Sequence, residues 1–315
     1  MPSKTMNFPF IAPETRLARL AVPEKKVRAV LDTDTYNEID DQFALTYALL
    51  AKDKLDLRAV TAAPFFNDHS TGPADGMEKS YQEILKIFSL LNEDPAGKVF
   101  RGSPCYLPAP ATPVDSVGAR RIIELANEAA KDGELLYVLA IGAITNVASA
   151  ILLEPEIIKH IVVVWLGGHA FEWHGKNDEF NLYQDVPAAQ VIFNSGVPFV
   201  MFPCAMVTDH LLTTEPELKV RCKDSGNIGE YLYTHTIEEM VRCSHDSRVI
   251  WDIVTVAYFT CPEAIRSIIR PAAKLLDDAA YDLSDTARHD MRYAYGLNRD
   301  IIFRDLFERI KNSCK

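Results

Sequence analysis

Val30-Leu31-Asp32-Thr33-Asp34-Thr35-Tyr36-Asn37-Glu38-Ile39-Asp40-Asp41 is the stretch on which the reading of the chain turns. Four aspartates and a glutamate fall within ten residues, between an apolar run, Val27 to Leu31, and an apolar segment with helical pattern, Gln42 to Ala51. Strand, acidic loop and helix in that order open an α/β unit. Carboxylates at this density repel one another unless a cation lies among them. Hard oxygen donors suit Ca²⁺ or Mg²⁺, and the lack of a neighbouring His or Cys argues against zinc. For Asp40 and Asp41 alone the competing explanation is that they open the helix, where acidic side chains cap and complement the dipole.

Outward from this stretch the same pattern repeats. Val27 to Leu31, Leu55 to Ala62, Leu135 to Ile141, Ile161 to Leu166 and Pro198 to Phe202 are short apolar runs without clean alternation, as expected of strands covered on both faces. Helical segments lie between them at Gln42 to Ala51, Glu78 to Leu91, Ala119 to Ala130 and Val147 to Leu153. The order predicts an α/β fold: a single domain with a mostly parallel central sheet flanked by helices, binding its ligand beyond the carboxyl ends of the strands. No Gly-, Ser- or Pro-rich linker divides the chain. Pro104 to Pro113 is expected to be a surface loop, residues 1–24 an N-terminal extension, and about 27–310 the core. From Glu215 onward the pattern suggests a helical cap on the same domain.

Composition narrows the partners. With 44 acidic against 33 basic residues the formal charge is −11, which disfavours nucleic acid, since phosphate binding relies on clustered Lys and Arg. No apolar stretch is long enough to span a bilayer. The six cysteines are scattered without zinc-type spacing and are expected to be reduced packing residues. Met1 to Pro13 lacks the apolar core and cleavage site of a signal peptide, which leads us to expect a cytoplasmic protein.

Two further clusters carry polar chemistry. Asp178-Glu179-Phe180-Asn181 follows the strand end Trp165-Leu166-Gly167-Gly168-His169 and a loop holding Trp173 and His174, where short polar side chains are placed to grip a ligand or simply to meet solvent. Val249-Ile250-Trp251-Asp252-Ile253-Val254 sets one carboxylate in an apolar segment, and an aspartate there is rarely buried unless paired or metal-bound.

Taken together and in order, these elements resemble the inosine-uridine preferring nucleoside hydrolase family. That family opens with a strand and Asp-x-Asp-Pro-Gly-x-Asp-Asp, continues with Gly-x-Leu-Thr-Asn and Glu-Phe-Asn, and closes with an Asp preceded by His or Trp. The matching positions are Asp32 and Asp34, Asp40 and Asp41, Gly142 to Asn146, Glu179 to Asn181, and Trp251 with Asp252. The loop from Asp34 to Asp40 is two residues longer than the pattern, and Asn37 and Glu38 in it are expected to face water.

The resemblance implies a Rossmann-related, nucleoside hydrolase-like fold and a ribonucleoside substrate. It implies Ca²⁺ held by Asp34, Asp41, the carbonyl of Ile141 and Asp252, with Asp34 also the catalytic base and Asp32 a support. Asp40, Asn67, Glu179 and Asn181 are the implied ribose contacts, with Asn177 as a further one. Trp251 and Trp173 would stack the base, and Trp251 tilts the expectation toward purines. The stacked base would take its proton from solvent or, alternatively, from His245, His169 or His174, while Tyr233 and His235 would line the base pocket. Relatives of this kind imply a homo-oligomer, dimer or tetramer. Two other classes remain open at this point: a calcium-dependent nucleoside or ribose sensor without turnover, and a phosphotransferase of the haloacid-dehalogenase type, suggested by Asp32-Thr33-Asp34 but lacking Thr or Val at Tyr36.

Overall fold

Alternation along the central strands sets the architecture. In Leu136–Ala140, residues Leu136, Val138 and Ala140 enter one apolar core while Tyr137 and Leu139 enter the other. In Ile161–Leu166, Ile161, Val163 and Trp165 likewise part from Val162, Val164 and Leu166. Both faces are buried because successive side chains point to opposite sides and helices cover each side. The computed structural model describes residues 8–109 and 111–314. Residues 1–7 of the expected N-terminal extension and leader-free start, and Pro110 of the proline-rich stretch, lie outside the described residues.

The strands are β1 Val27–Thr33, β2 Leu55–Ala62, β3 Val99–Arg101, β4 Leu136–Ala140, β5 Ile161–Leu166, β6 Phe199–Phe202, β7 Leu212–Thr214, β8 Ser247–Val249, β9 Ile265–Pro271, β10 Lys274–Leu275, β11 Tyr281–Asp282 and β12 Asp290–Leu297. Eight of them form one sheet in the order β3-β2-β1-β4-β5-β6-β12-β9, parallel except for the β12–β9 pair. Helices Asp40–Leu50, Pro73–Leu90, Gly226–Cys243, Ile253–Thr260 and Arg299–Asn312 cover one face. Val117–Lys131, Thr145–Leu153 and Val186–Ser195 cover the other.

Three differences from the sequence expectation bear on the site. First, β1 runs two residues further, to Thr33, so Asp32 and Thr33 are sheet residues rather than loop. Second, the region after Glu215 is only partly a helical cap: β9 and β12 belong to the central sheet. The charges that made this region look helical sit on an edge strand, where Arg266 and Ile268–Ile269 can stay exposed. Third, the short strand β3 was not foreseen. The N-terminal helix Pro13–Leu20 packs on β12 and buries Leu20. Among the described residues, no helix is long and apolar enough to cross a membrane.

Candidate active site

The end of β1 distributes its polar residues by the same alternation that built the core. Asp32 turns to the face of helix Thr145–Leu153, where Oδ1 accepts from Asn146 Nδ2 (2.8 Å) and from Thr61 Oγ1 (2.5 Å). Thr33 turns to the other face and donates to Asp41 Oδ1 (2.5 Å) at the start of helix Asp40–Leu50. Asp34 lies beyond the strand, fully buried, and neither of its carboxylate oxygens has a hydrogen-bond partner. Gly142 allows its close approach: a Cβ there would lie 3.0 Å from the Asp34 carboxylate. Asp32 is thus bonded through Oδ1 while its Oδ2 is unpartnered, and Asp34 is a buried carboxylate with neither oxygen bonded.

Asp252 joins this cluster from the residue preceding helix Ile253–Thr260, where its side chain caps no backbone N–H. Ligand oxygens of Asp40, Asp41 and Asp252 all lie within 4.8 Å of one another. That grouping contains Asp40, expected among the ribose contacts, and leaves out Asp34, whose carboxylate nevertheless feels both Asp41 and Asp40. Ile141, Asp40, Asp41 and Asp252 line one cleft of about 230 Å³ at the carboxyl ends of the strands, together with Glu179, Asn181, Trp251 and His169. Three clustered carboxylates plus two orphaned buried oxygens are a donor set of all-oxygen type that fits a hard divalent cation.

Electrostatics point the same way. Burial, then the neighbouring carboxylates Asp41 and Asp40, hold the Asp34 carboxyl well above its ordinary range. Burial and Asp40 do so for Asp41; for Asp252 it is burial, Asp40 and Asp41. Burial lifts Asp40 too, while Arg248 opposes the shift. Asp32 is pushed up to about 6 by burial, against the hydrogen bonds from Thr61 and Asn146. A carboxyl whose pKa is higher folded than unfolded binds more protons in the native state, so its contribution to stability falls as pH rises through the folded pKa. Chelator-treated protein is therefore expected to melt several degrees higher at pH 6 than at pH 8. A divalent cation such as Ca²⁺ should raise the melting temperature more at pH 8, where more of the carboxylate population is ionised. Calorimetric scans with EDTA or Ca²⁺ at both pH values check this; a pH-independent calcium effect would remove the cation from the cluster.

The second element is built by a short helix. Glu179 precedes Phe180–Tyr183 and accepts from the backbone N–H groups of Gly168 (2.6 Å), Asn181 (2.9 Å) and Leu182 (2.9 Å). Asn181 donates Nδ2 to the Leu166 carbonyl (3.1 Å), which leaves its side-chain oxygen as an acceptor. Gly168, at φ 76°, makes the turn that brings β5 to this helix.

Several expected contacts lie elsewhere. Asn67 is not in the cleft wall; it donates to Asn37 Oδ1 (2.6 Å) and accepts from His69 N–H (2.8 Å), tying two loops together. Asn177 is likewise a structural tie, accepting from His169 N–H (2.7 Å) and donating to the Ala279 carbonyl (2.8 Å). Trp173 is 43% exposed and lines a neighbouring cavity with Asn177. His245 and His174 are exposed and line neither cavity, because the turn after helix Gly226–Cys243 and the loop before Asp178 carry them outward. His169 does line the cleft, with Nδ1 accepting from Ala205 N–H (3.3 Å) and Nε2 3.5 Å from Asp178. Burial lowers its pKa. His235 faces a second cavity that shares Glu38 with the cleft, whereas Tyr233 points away from it to Glu215.

The expectation that Asn37 and Glu38 face water holds only in part, for Glu38, whose side chain is 34% exposed. Asn37 is buried and bonded to Asn67, and Glu38 accepts from Arg248, because the longer loop folds inward over the helix start. Sequence reading also passed over Arg248 and Cys204 as cleft-side residues. Arg248 sits three residues before Trp251 on a strand too short to show a pattern.

A parallel sheet with carboxylates gathered beyond its strand ends and an acceptor-lined cleft fits an α/β enzyme whose oxygen donors suit a cation. The chain belongs to the inosine-uridine preferring nucleoside hydrolase family, whose sequence profile matches residues 29–293; it is accordingly an N-glycosidase. It is similar to a probable uridine nucleosidase 2 of Arabidopsis thaliana, 25% identical over 234 residues, 68% of this chain and 69% of the relative. A putative pyrimidine-specific ribonucleoside hydrolase of Shigella boydii is 26% identical over 145 residues, 44% of this chain and 59% of that one; the match thus spans little more than half the relative's length. Among solved structures, a purine-preferring ribonucleoside hydrolase from Gardnerella vaginalis aligns with a TM-score of 0.73 over 91% of this chain and 99% of its own, at 22% identity, a likeness of fold.

Proposed function

We propose that the protein hydrolyses the N-glycosidic bond of ribonucleosides with the help of Ca²⁺ and leans toward purines. The observation that carries this reading is the buried aspartate cluster, above all the Asp34 carboxylate with both oxygens unpartnered. Asp34, Asp41, the Ile141 carbonyl and Asp252 would hold the cation, with Asp40 close enough to share it or to take a ribose hydroxyl. When bound, the cation supplies orientation of the sugar hydroxyls and acidification of a water.

The remaining chemistry belongs to the chain. Asp34 accepts a proton from the water that attacks the anomeric carbon, since both of its buried carboxylate oxygens are free to accept. Glu179 and Asn181, fixed by backbone contacts, grip the sugar hydroxyls in set directions. The acidic wall suits the positive charge that grows on the ribosyl carbon. Trp251, in the cleft wall, offers an aromatic face to the base. Of the three histidines expected near the leaving base, His169 is the one in the cleft wall, and Asn67, Asn177 and Trp173 act by holding loops. The same reading makes the protein a cytoplasmic homo-oligomer, which sedimentation of the purified chain tests.

The family match weighs against the phosphotransferase reading, and Asp32, its nucleophile, has Oδ1 engaged by Thr61 and Asn146. The deciding assay is base release from inosine, adenosine, guanosine, uridine and cytidine with Ca²⁺ and with EDTA. Calcium-dependent release supports the proposal, and ribose or nucleoside binding without release would mean a sensor. Trp251→Ala is expected to lower kcat/KM for inosine about ten-fold more than for uridine, in keeping with the larger stacking area of a purine. Equal losses on the two substrates would remove the reason for a purine preference.

A further inference from the structure

The longer first loop brings Glu38 into the cleft wall, where its carboxylate accepts from Arg248. Arg248 is only 7% exposed, and its guanidinium carbon lies 5.1 Å from the centre of the Trp251 ring. Trp251 lines the cleft and Arg248 does not, so the guanidinium backs the indole. Behind Arg248 stands Glu239 (3.9 Å), itself held by two bonds from Arg242 (2.8 and 2.6 Å). The β7–β8 pairing of Thr213 with Arg248 fixes the backbone. One side chain thus ties the first loop to the aromatic wall.

Two N–H groups in this stack, Arg248 Nε and Trp251 Nε1, are buried without an acceptor. Native structures seldom leave buried donors so, and the exceptions call for a functional or ligand-based reason. Elsewhere the cleft presents acceptors: the carboxylates of Asp40, Asp41, Asp178, Glu179 and Asp252. Breaking a glycosidic C–N bond needs both kinds of wall. The bonding pair departs with the base nitrogen, the ribosyl carbon turns cationic, and water oxygen bonds to that carbon. One water proton goes to Asp34 and the base takes up a proton from solvent. Carboxylates suit the sugar end, whereas an electron-rich departing base calls for N–H donors and a cation-backed aromatic face.

We propose that Glu38, Arg248 and Trp251 form the leaving-group end of the cleft, with Arg248 the positioning residue that holds the indole and the first loop together so that the departing base meets a cation-backed aromatic face. This rests on the hydrolase reading above.

The test compares two ribosides that differ in how much help the leaving group needs. Inosine releases a poor leaving group, whereas p-nitrophenyl β-D-ribofuranoside releases a stable phenolate. Arg248→Met is expected to lower kcat on inosine about thirty-fold and on the nitrophenyl riboside less than about three-fold, with KM for both nearly unchanged. Arg248→Lys should recover part of the inosine rate, and Glu38→Gln should show the same selective loss in smaller measure. A purely structural role would slow both substrates together, so parallel losses, or none, overturn the proposal. If Arg248→Met does not fold, Arg248→Lys and Glu38→Gln decide by the same criterion. Wild-type protein that cleaves neither riboside overturns the hydrolase reading and this proposal with it.

Discussion

Asp34→Asn is expected to lower kcat/KM on nucleosides by about 10³-fold or more, the scale of losing a placed general base. It is also expected to raise the melting temperature of the chelator-treated protein by about 2–4 °C. The two effects have one cause. Asp34 is wholly buried, both of its oxygens lack partners, and Asp41 and Asp40 crowd it with like charge. An amide of the same shape removes the charge that is costly without a cation, and with it the proton acceptor. The opposed signs carry the argument, because a residue that merely packed would lose stability along with activity. Steady-state assays and calorimetry on the variant check both, and full activity in Asp34→Asn would dismiss it as the base. Residual calcium binding by titration separates its service as base from its service as ligand.

Most of the fold was legible because parallel strands buried on both faces leave short unbroken apolar runs; β2 and β5 were read with their observed bounds. Edge strands do not announce themselves that way. β9 alternates Arg266 and exposed isoleucines along an open sheet edge, and β3 is three residues long, so neither carries a buried-strand signature. The site was legible wherever a side chain's role follows from its own strand or helix. Alternation at the end of β1 separates Asp32 from Thr33, and the Gly142 to Asn146 turn supplies both the close approach to Asp34 and the bond to Asp32. What escaped were long-range pairs. Glu38 meets Arg248 across 210 positions, and no local pattern encodes that meeting. Asn67, Asn177 and Trp173 were misplaced for a related reason: polar and aromatic loop residues look alike in sequence whether they face a ligand or fasten a neighbouring loop.

Asp252→Ala should weaken calcium binding about 100-fold or more, equivalent to a loss of about 2.7 kcal/mol of calcium-derived stability at a fixed saturating concentration. Asp252 caps no helix N–H, and its side-chain neighbours are the carboxyls of Asp40 and Asp41, which crowd it with like charge. Removing it relieves repulsion in the cation-free protein while deleting a ligand from the loaded one. Melting temperature in EDTA is thus expected to hold or rise, and in Ca²⁺ to fall. Asp32→Ala gives the contrast: its Oδ1 accepts from both Thr61 and Asn146, and losing it strands those buried donors, so the melting temperature should fall in both conditions by similar amounts. Isothermal titration with Ca²⁺ and paired thermal scans on the two variants discriminate ligand from support. Equal responses of Asp252→Ala and Asp32→Ala would show that position 252, like position 32, serves the fold alone.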